Sequence, residues 1–281
     1  MIKIGYNMSD IIDKHSLMKA KEDGCNFIQI FTGDPCKFIY NRNQISFDLI
    51  NLHLKNWKGG IVIHGNFLIN LCRPPTDKIA KNSIYLLKKD LEIAEKINSI
   101  GVIIHMGKDT AKLGYQNAFD TYINNLNTVL KESKKGTIIL ETGAGVGTEV
   151  GTRLNELGKI REKIKYKDRI KFCIDTCHIF AAGYDLSNDI VVDSLEEYIE
   201  NTLGWNNIAL MHCNDSKNCL FSKKDYHADI TDGTISKENI GSFMKFINFF
   251  KKRNIPIILE TPSDSVDFKT QIEFISFYNE N

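Results

Sequence analysis

Residues 61–65 read Ile61-Val62-Ile63-His64-Gly65, an unbroken apolar run that ends in a histidine. Apolar residues without alternation are the mark of a strand buried on both faces of a parallel sheet. The pattern recurs at Ile2 to Tyr6, Phe27 to Phe31, Val102 to Met106, Thr137 to Glu141, Ile170 to Asp175, Ile208 to Cys213 and Pro256 to Glu260. Amphipathic stretches lie between the runs. The clearest spans 77–98, where Ile79, Ile84, Leu87, Leu91, Ile93, Ala94 and Ile97 form a stripe of helical period. Others span 9–23, 116–131, 152–164, 195–203, 236–252 and 264–278. Asp77 and Ser236 read as N-caps; Asn239, not Glu, stands three residues after Ser236, so no capping box is expected there. Eight strands alternating with about eight helices predict an α/β chain folded as a TIM (β/α)8 barrel, one domain over residues 1–281. An open doubly wound sheet is the rival fold, and the lack of a Gly-rich fingerprint after the first run weighs against it.

Composition constrains the partners. The formal net charge is only +1, so any nucleic-acid site must come from local basic groups or bound metal ions, whose charge the sequence does not count. The seven cysteines include no Cys-x-x-Cys pair, and Met1-Ile2-Lys3-Ile4-Gly5 leads straight into a strand-like run. Reduced thiols and an intracellular protein, cytoplasmic or nuclear, are the expectation. No stretch approaches the ~18 apolar residues of a membrane span.

The chemistry is written in what ends each run. The third ends in His64, the fourth in His105, the fifth in Glu141, the sixth in Asp175 with His178 three residues on, the seventh in His212 and the eighth in Glu260. These positions are 34 to 48 residues apart, about one βα unit, and a barrel brings all strand C-termini to one face. Asp225-Tyr226-His227 adds two more donors after the seventh strand. A lone histidine at a strand end is usually structural, and a lone carboxylate there is usually a helix cap. Collecting both at six successive strand ends is costly unless something pairs with them, and a metal does. Nitrogen and carboxylate donors suit zinc, manganese or iron, the histidines lean to zinc, and nine donors exceed one tetrahedral ion and supply two or three. Grouped ions suit phosphodiester hydrolysis. His15 and His53 fall in helical stretches and read as surface residues. The cysteines read as packing or surface thiols, with Cys177 and Cys213 beside proposed ligands.

At these residues the chain resembles endonuclease IV, a family of zinc-dependent enzymes that act at abasic sites in DNA. The matching stretches are residues 64–71, Glu141-Thr142-Gly143-Ala144-Gly145-Val146-Gly147, Asp175-Thr176-Cys177-His178, His212-Cys213-Asn214-Asp215-Ser216-Lys217, Asp225-Tyr226-His227 and Leu259-Glu260-Thr261-Pro262, all in the family's order. The resemblance implies three zinc ions, with manganese able to replace zinc in part. His64, His105 and Glu141 would hold the first, Glu141 (bridging), Asp175, His212 and Glu260 the second, and His178, Asp225 and His227 the third. A metal-bound hydroxide would be the nucleophile on the phosphate 5′ to an abasic nucleotide, leaving a 3′-hydroxyl and a 5′-deoxyribose phosphate. Removal of blocked 3′ ends is implied too. The implied partner is double-stranded DNA with abasic sites, bound by a monomer with no membrane involved. Phe67 and Leu68 stand where the family has an aromatic and an apolar wedge. The loop Phe31-Thr32-Gly33-Asp34-Pro35-Cys36-Lys37-Phe38 departs from the pattern: it has no Arg at the inserted position, and Lys37 is the substitute. Lys217, Lys223 and Lys224 are expected to meet phosphates, and Gly143, Gly145 and Gly147 to let backbone approach one. Lys251-Lys252-Arg253 reads as a solvated helix end.

Two rivals remain. A sugar isomerase or epimerase on the same barrel also places Glu, Asp and His at strand ends with one or two ions, but has no use for His178, Asp225 and His227. A module that binds damaged DNA without cutting it would have no reason to keep all nine donors.

Overall fold

Side chains along a strand alternate between its two faces, and this alternation builds the molecule. The computed structural model describes residues 2–8, 13–38, 54–55 and 57–278; His53 lies outside them. Eight parallel strands close a barrel: β1 (Ile4–Met8), β2 (Phe27–Phe31), β3 (Gly60–His64), β4 (Val102–Ile104), β5 (Ile138–Glu141), β6 (Ile170–Asp175), β7 (Ile208–His212) and β10 (Ile257–Leu259), in the order β1-β10-β7-β6-β5-β4-β3-β2. The expected (β/α)8 fold is therefore present. The antiparallel pair β8 (Asp215–Ser216) and β9 (His227–Ala228) sits in the connection after β7.

Phe27, Val62, Ile103, Ile139, Cys173, Leu210 and Ile258, one from each of seven strands, pack together as the barrel's interior layer. Their strand neighbours, such as Ile61, Ile63, Ile138 and Leu140, belong to the larger core outside the strands. The eighth strand has Gly5 at this level. A Cβ there would stand 1.7 Å from the carbonyl oxygen of Phe27, so β1 and β2 leave no room for a side chain. Moving two residues toward the C-terminal end of each strand keeps the same inward face. The next layer is then Asn7, Gln29, His64, His105, Glu141, Asp175, His212 and Glu260.

Among the described residues the outer ring holds α1 (Lys14–Glu22), α2 (Lys78–Lys96), α3 (Tyr115–Glu132), α4 (Leu154–Lys163), α5 (Thr176–Ala181), α6 (Asp189–Thr202), α7 (Thr234–Lys252) and α8 (Phe268–Phe277). Asp77 caps α2, accepting from the Ile79 N–H, as expected. Two expectations are corrected. Ser236 is not an N-cap: α7 starts at Thr234, and the buried Asp215 carboxylate accepts from the N–H groups of Ile235 and Ser236. The helix expected over 195–203 begins at Asp189, because the Asn188 side chain caps it by accepting from the Ile190 and Val191 N–H groups. The helix end at 251–253 is solvated at Lys252 and Arg253, which are exposed. Lys251 Nζ donates to the Ile275 carbonyl, and the Arg253 guanidinium lies 4.2 Å over the Trp205 ring and pairs with Glu196. No helix among the described residues is long and apolar enough to cross a membrane.

Candidate metal centre

The layer above the interior apolar ring is a ring of donors. Glu141, at the end of β5, is fully buried and stands at its centre. Its Oε2 faces His64 Nε2 at 3.4 Å and His105 Nε2 at 3.2 Å; its Oε1 faces His212 Nδ1 at 2.9 Å and His178 Nδ1 at 3.5 Å. One carboxylate thus presents an oxygen to each of two groups of imidazoles. His212 Nδ1 also stands 3.1 Å from Glu260 Oε2 and 3.8 Å from Asp175 Oδ2. A third group lies to one side: Asp225 Oδ1 is 3.0 Å from His178 Nε2 and 3.2 Å from His227 Nε2. Within each of three sets one donor atom per residue lies within 4.8 Å of the others: His64, His105 and Glu141; Glu141, Asp175, His212 and Glu260; His178, Asp225 and His227. All nine donors expected from the sequence converge on one mouth.

The imidazoles are oriented from behind. His64 Nδ1 lies 2.8 Å from the Gly65 carbonyl, His178 Nδ1 2.7 Å from that of Thr142, and His227 Nδ1 3.2 Å from that of Glu260. Donation there commits each Nδ1, so it is Nε2 that faces the centre and that a neutral ring would offer as a lone pair. His178 Nε2 and His227 Nε2 are buried, and the nearest group to both is the one Asp225 oxygen they share, at 3.0 and 3.2 Å, without regular hydrogen-bond geometry. Buried imidazole nitrogens that crowd a shared carboxylate oxygen without a regular hydrogen bond have the setting of metal ligands. His212 is turned the other way: its Nε2 donates to Gln29 Oε1 at 2.7 Å, which frees Nδ1. Gln29 then donates from Nε2 to Glu260 Oε1 at 2.6 Å. Asn214 donates to Asp175 Oδ2 and accepts from the Glu260 N–H. Asp175 divides its oxygens, with Oδ1 capping α5 at the His178 N–H and Oδ2 left for the cluster. Sequence reading missed Gln29 and Asn214. The signal for Gln29 was present, since it follows Phe27 by the same two residues that separate His64 from Val62.

The electrostatics fit a centre that wants cations. Burial raises the Glu141 carboxyl, but His212 and His105 outweigh it and hold the group well below the carboxylate range. Burial lowers His178, yet Asp175 and Asp225 lift it well above its usual value; His227 is lifted to about 9 against the same burial by Asp175 and Asp225. Imidazolium protons thus balance the carboxylates, and divalent ions would replace those protons. Cys177 Sγ shares a 4.8 Å neighbourhood with Asp175 and His227, but burial pushes the thiol up to about 12. It is a neutral packing group whose Sγ–H points to the Tyr226 carbonyl.

The rim carries the remaining expected residues. Phe67 is 45% exposed and stacks on His105, centroids 5.4 Å apart and 17° from parallel; Leu68 beside it is also exposed. Asn66 Nδ2 donates to the carbonyls of Asp34 and Lys37, and the Phe67 N–H to that of Pro35, so the loops after β2 and β3 form one bank. Lys37 pairs with Asp34 at 2.6 Å. Lys217, Lys223 and Lys224 are exposed beside the third donor group, and His15 is exposed on α1. Two amides of the Gly-rich loop are already taken: the Glu149 carboxylate accepts from the Gly145 and Val146 N–H groups. A cavity of about 300 Å³ opens beside the donors, lined by Phe67, Leu68, His105, Glu149, His178 and Asp225 among others.

Residues 17–277 match the family described as xylose isomerase-like TIM barrel. A protein of Acanthamoeba polyphaga mimivirus that carries the name endonuclease 4 is 38% identical over 270 residues, covering 93% of this chain and 85% of its own. A "Probable endonuclease 4" of Aster yellows witches'-broom phytoplasma is 36% identical, covering 95% and 91%. Among solved structures, endonuclease IV from Thermus thermophilus superposes with a TM-score of 0.78 at 22% identity, covering 98% and 97% of the two chains. A D-tagatose 3-epimerase-like protein gives 0.71 at 16% identity, covering 98% and 96%.

Proposed function

This chain belongs to the endonuclease IV family of xylose isomerase-like TIM barrels, and from that premise we propose that it is a DNA-repair endonuclease whose single catalytic domain works as a monomer at abasic sites. It hydrolyses the phosphodiester 5′ to the abasic nucleotide, breaking the P–O3′ bond to leave a 3′-hydroxyl and a 5′-deoxyribose phosphate. Blocked 3′ ends are trimmed by the same chemistry. The observation that carries this reading is the third donor group of His178, Asp225 and His227 beside a cluster already complete enough for two ions. A sugar isomerase needs no such group.

The donor set suits three zinc ions: His64, His105 and Glu141 for one, Glu141, Asp175, His212 and Glu260 for the next, and His178, Asp225 and His227 for the last. When bound, such ions lower the pKa of water and neutralise phosphate charge. Everything else falls to the protein. Glu141 joins two donor sets through its two oxygens. The Gly65 and Thr142 carbonyls fix which nitrogen of His64 and His178 is free. Phe67 and Leu68 fill the gap where the base is missing, and flipping an abasic nucleotide is cheap because no base pair must be broken. Lys37 and Lys217 screen backbone phosphates at the rim.

The test is metal analysis of the purified protein together with nicking of a duplex carrying a tetrahydrofuran abasic analogue. About three zinc per chain and nicking 5′ to the analogue, with intact duplex untouched, are expected. Two or fewer ions with ketose–aldose activity and no nicking would replace this reading with the isomerase.

A further inference from the structure

The connection between β7 and β9 holds Phe221 in the left-handed region, at φ 59°. A bulky residue is a true outlier there, and costly backbone persists only where its surroundings hold it and something is gained. The surroundings are explicit. The Phe221 N–H donates to the Phe180 carbonyl and the Lys223 N–H to that of Ala181, pinning the loop on α5. The ring lies over Gly183, where a Cβ would come within 2.9 Å of it. The gain is not burial: the side chain is 56% exposed. Lys223 Nζ stands 5.1 Å from the ring centroid, a cation–π pair.

Position gives the pair a task. In the closed order of the barrel, β3 and β7 are four strands apart in either direction, so they end on opposite sides of the mouth. The loop after β3 carries the exposed Phe67 and Leu68, and the connection after β7 carries the exposed Phe221. Lys223 Cγ lies 3.6 Å from where a Gly145 Cβ would be, and Asp225 of the third donor group follows two residues later, so the pair borders the cluster. A duplex kinked at a missing base opens a base face on each side of the gap. A single apolar wedge covers only one of them.

We propose that Phe221 is a second base platform. Its ring stacks on an unstacked nucleobase of the bound DNA, on the side of the lesion opposite Phe67 and Leu68, and Lys223 pairs with the adjoining phosphate. This rests on the endonuclease reading and adds to it a specificity-determining residue.

The experiment uses the zinc-loaded full chain and an abasic-analogue duplex with 2-aminopurine on either side of the lesion. Wild type is expected to quench the reporter at one flank through Phe221 and at the other through Phe67. Phe221→Gly suits the positive φ, so the fold should melt no lower than wild type. Its duplex Kd and KM should rise about tenfold or more, with the loss in KM rather than kcat, and quenching should vanish at one flank only. Phe221→Trp should restore both. Lys223→Gln should flatten the slope of log Kd against log salt by about one. Phe221→Gly binding within twofold of wild type with both flanks quenched overturns the proposal while the endonuclease reading stands. A wild type that neither binds nor nicks the abasic duplex overturns both.

Discussion

Gln29 is a fully buried amide on a strand otherwise apolar at its centre, and every polar atom of its side chain is committed to the cluster. It supplies the acceptor that fixes the His212 tautomer and the donor that turns Glu260. Groups that orient metal ligands in this way typically change metal affinity or activity by roughly 10–100-fold. Gln29→Leu keeps the volume and removes both hydrogen bonds. Zinc affinity, read by competition with a chromophoric chelator, should fall by about that range, with an unchanged far-UV spectrum. Unaltered zinc affinity would make Gln29 a packing residue. At this scale the donors were legible because His, Asp and Glu at the ends of apolar runs have no reason to be there as packing. Gln29 and Asn214 were not, because an amide in a strand or loop carries no comparable signal until its partners, 183 or 231 residues away for Gln29, are brought beside it.

Single elements show where periodicity runs out. Helix α7 is interrupted at Asn239, which has φ −161° and ψ 92° inside an otherwise helical run. Asn239 Oδ1 accepts from the Ser242 N–H at 3.1 Å, so the residue that rules out a capping box after Ser236 is itself the cap of the following turns. Asn239→Ala should cost about 1 kcal/mol, measured by urea denaturation; a midpoint equal to wild type would remove its role as a cap. Helix α5, only six residues long, was invisible to pattern reading. It exists because Asp175 caps it, and it matters because it carries His178 toward the centre. The loop at 143–147 shows the reverse. Its glycines suggest a phosphate cradle, but Glu149, two residues beyond it, takes the amides of Gly145 and Val146.

For the whole molecule, the near-neutral sequence charge conceals a concentrated site of carboxylates and imidazoles. The Asp175 and Asp225 carboxylates lift His227 to about 9 against its burial, above the ~6.5 of an unfolded chain, and neighbouring carboxylates raise His178 and His212 as well. A raised imidazole contributes stability that is full below about pH 6.5 and lost as pH rises through about 9. The chelator-treated protein should therefore melt lower at pH 9 than at pH 6.5. Zinc competes with those same protons, so the zinc-induced rise in melting temperature should grow over that window. Equal increments at both pH values would mean that the imidazoles do not bind the ions. The barrel and its donor ring were determined by the sequence alone, because each βα unit repeats one local rule: an apolar strand whose inward face ends in a polar donor. Tertiary structure alone decided which nitrogen of each imidazole is free, which backbone amides are already occupied, and that the connection after β7 packs on α5. Those facts depend on contacts between residues far apart in the chain, and no local pattern of side-chain polarity encodes them.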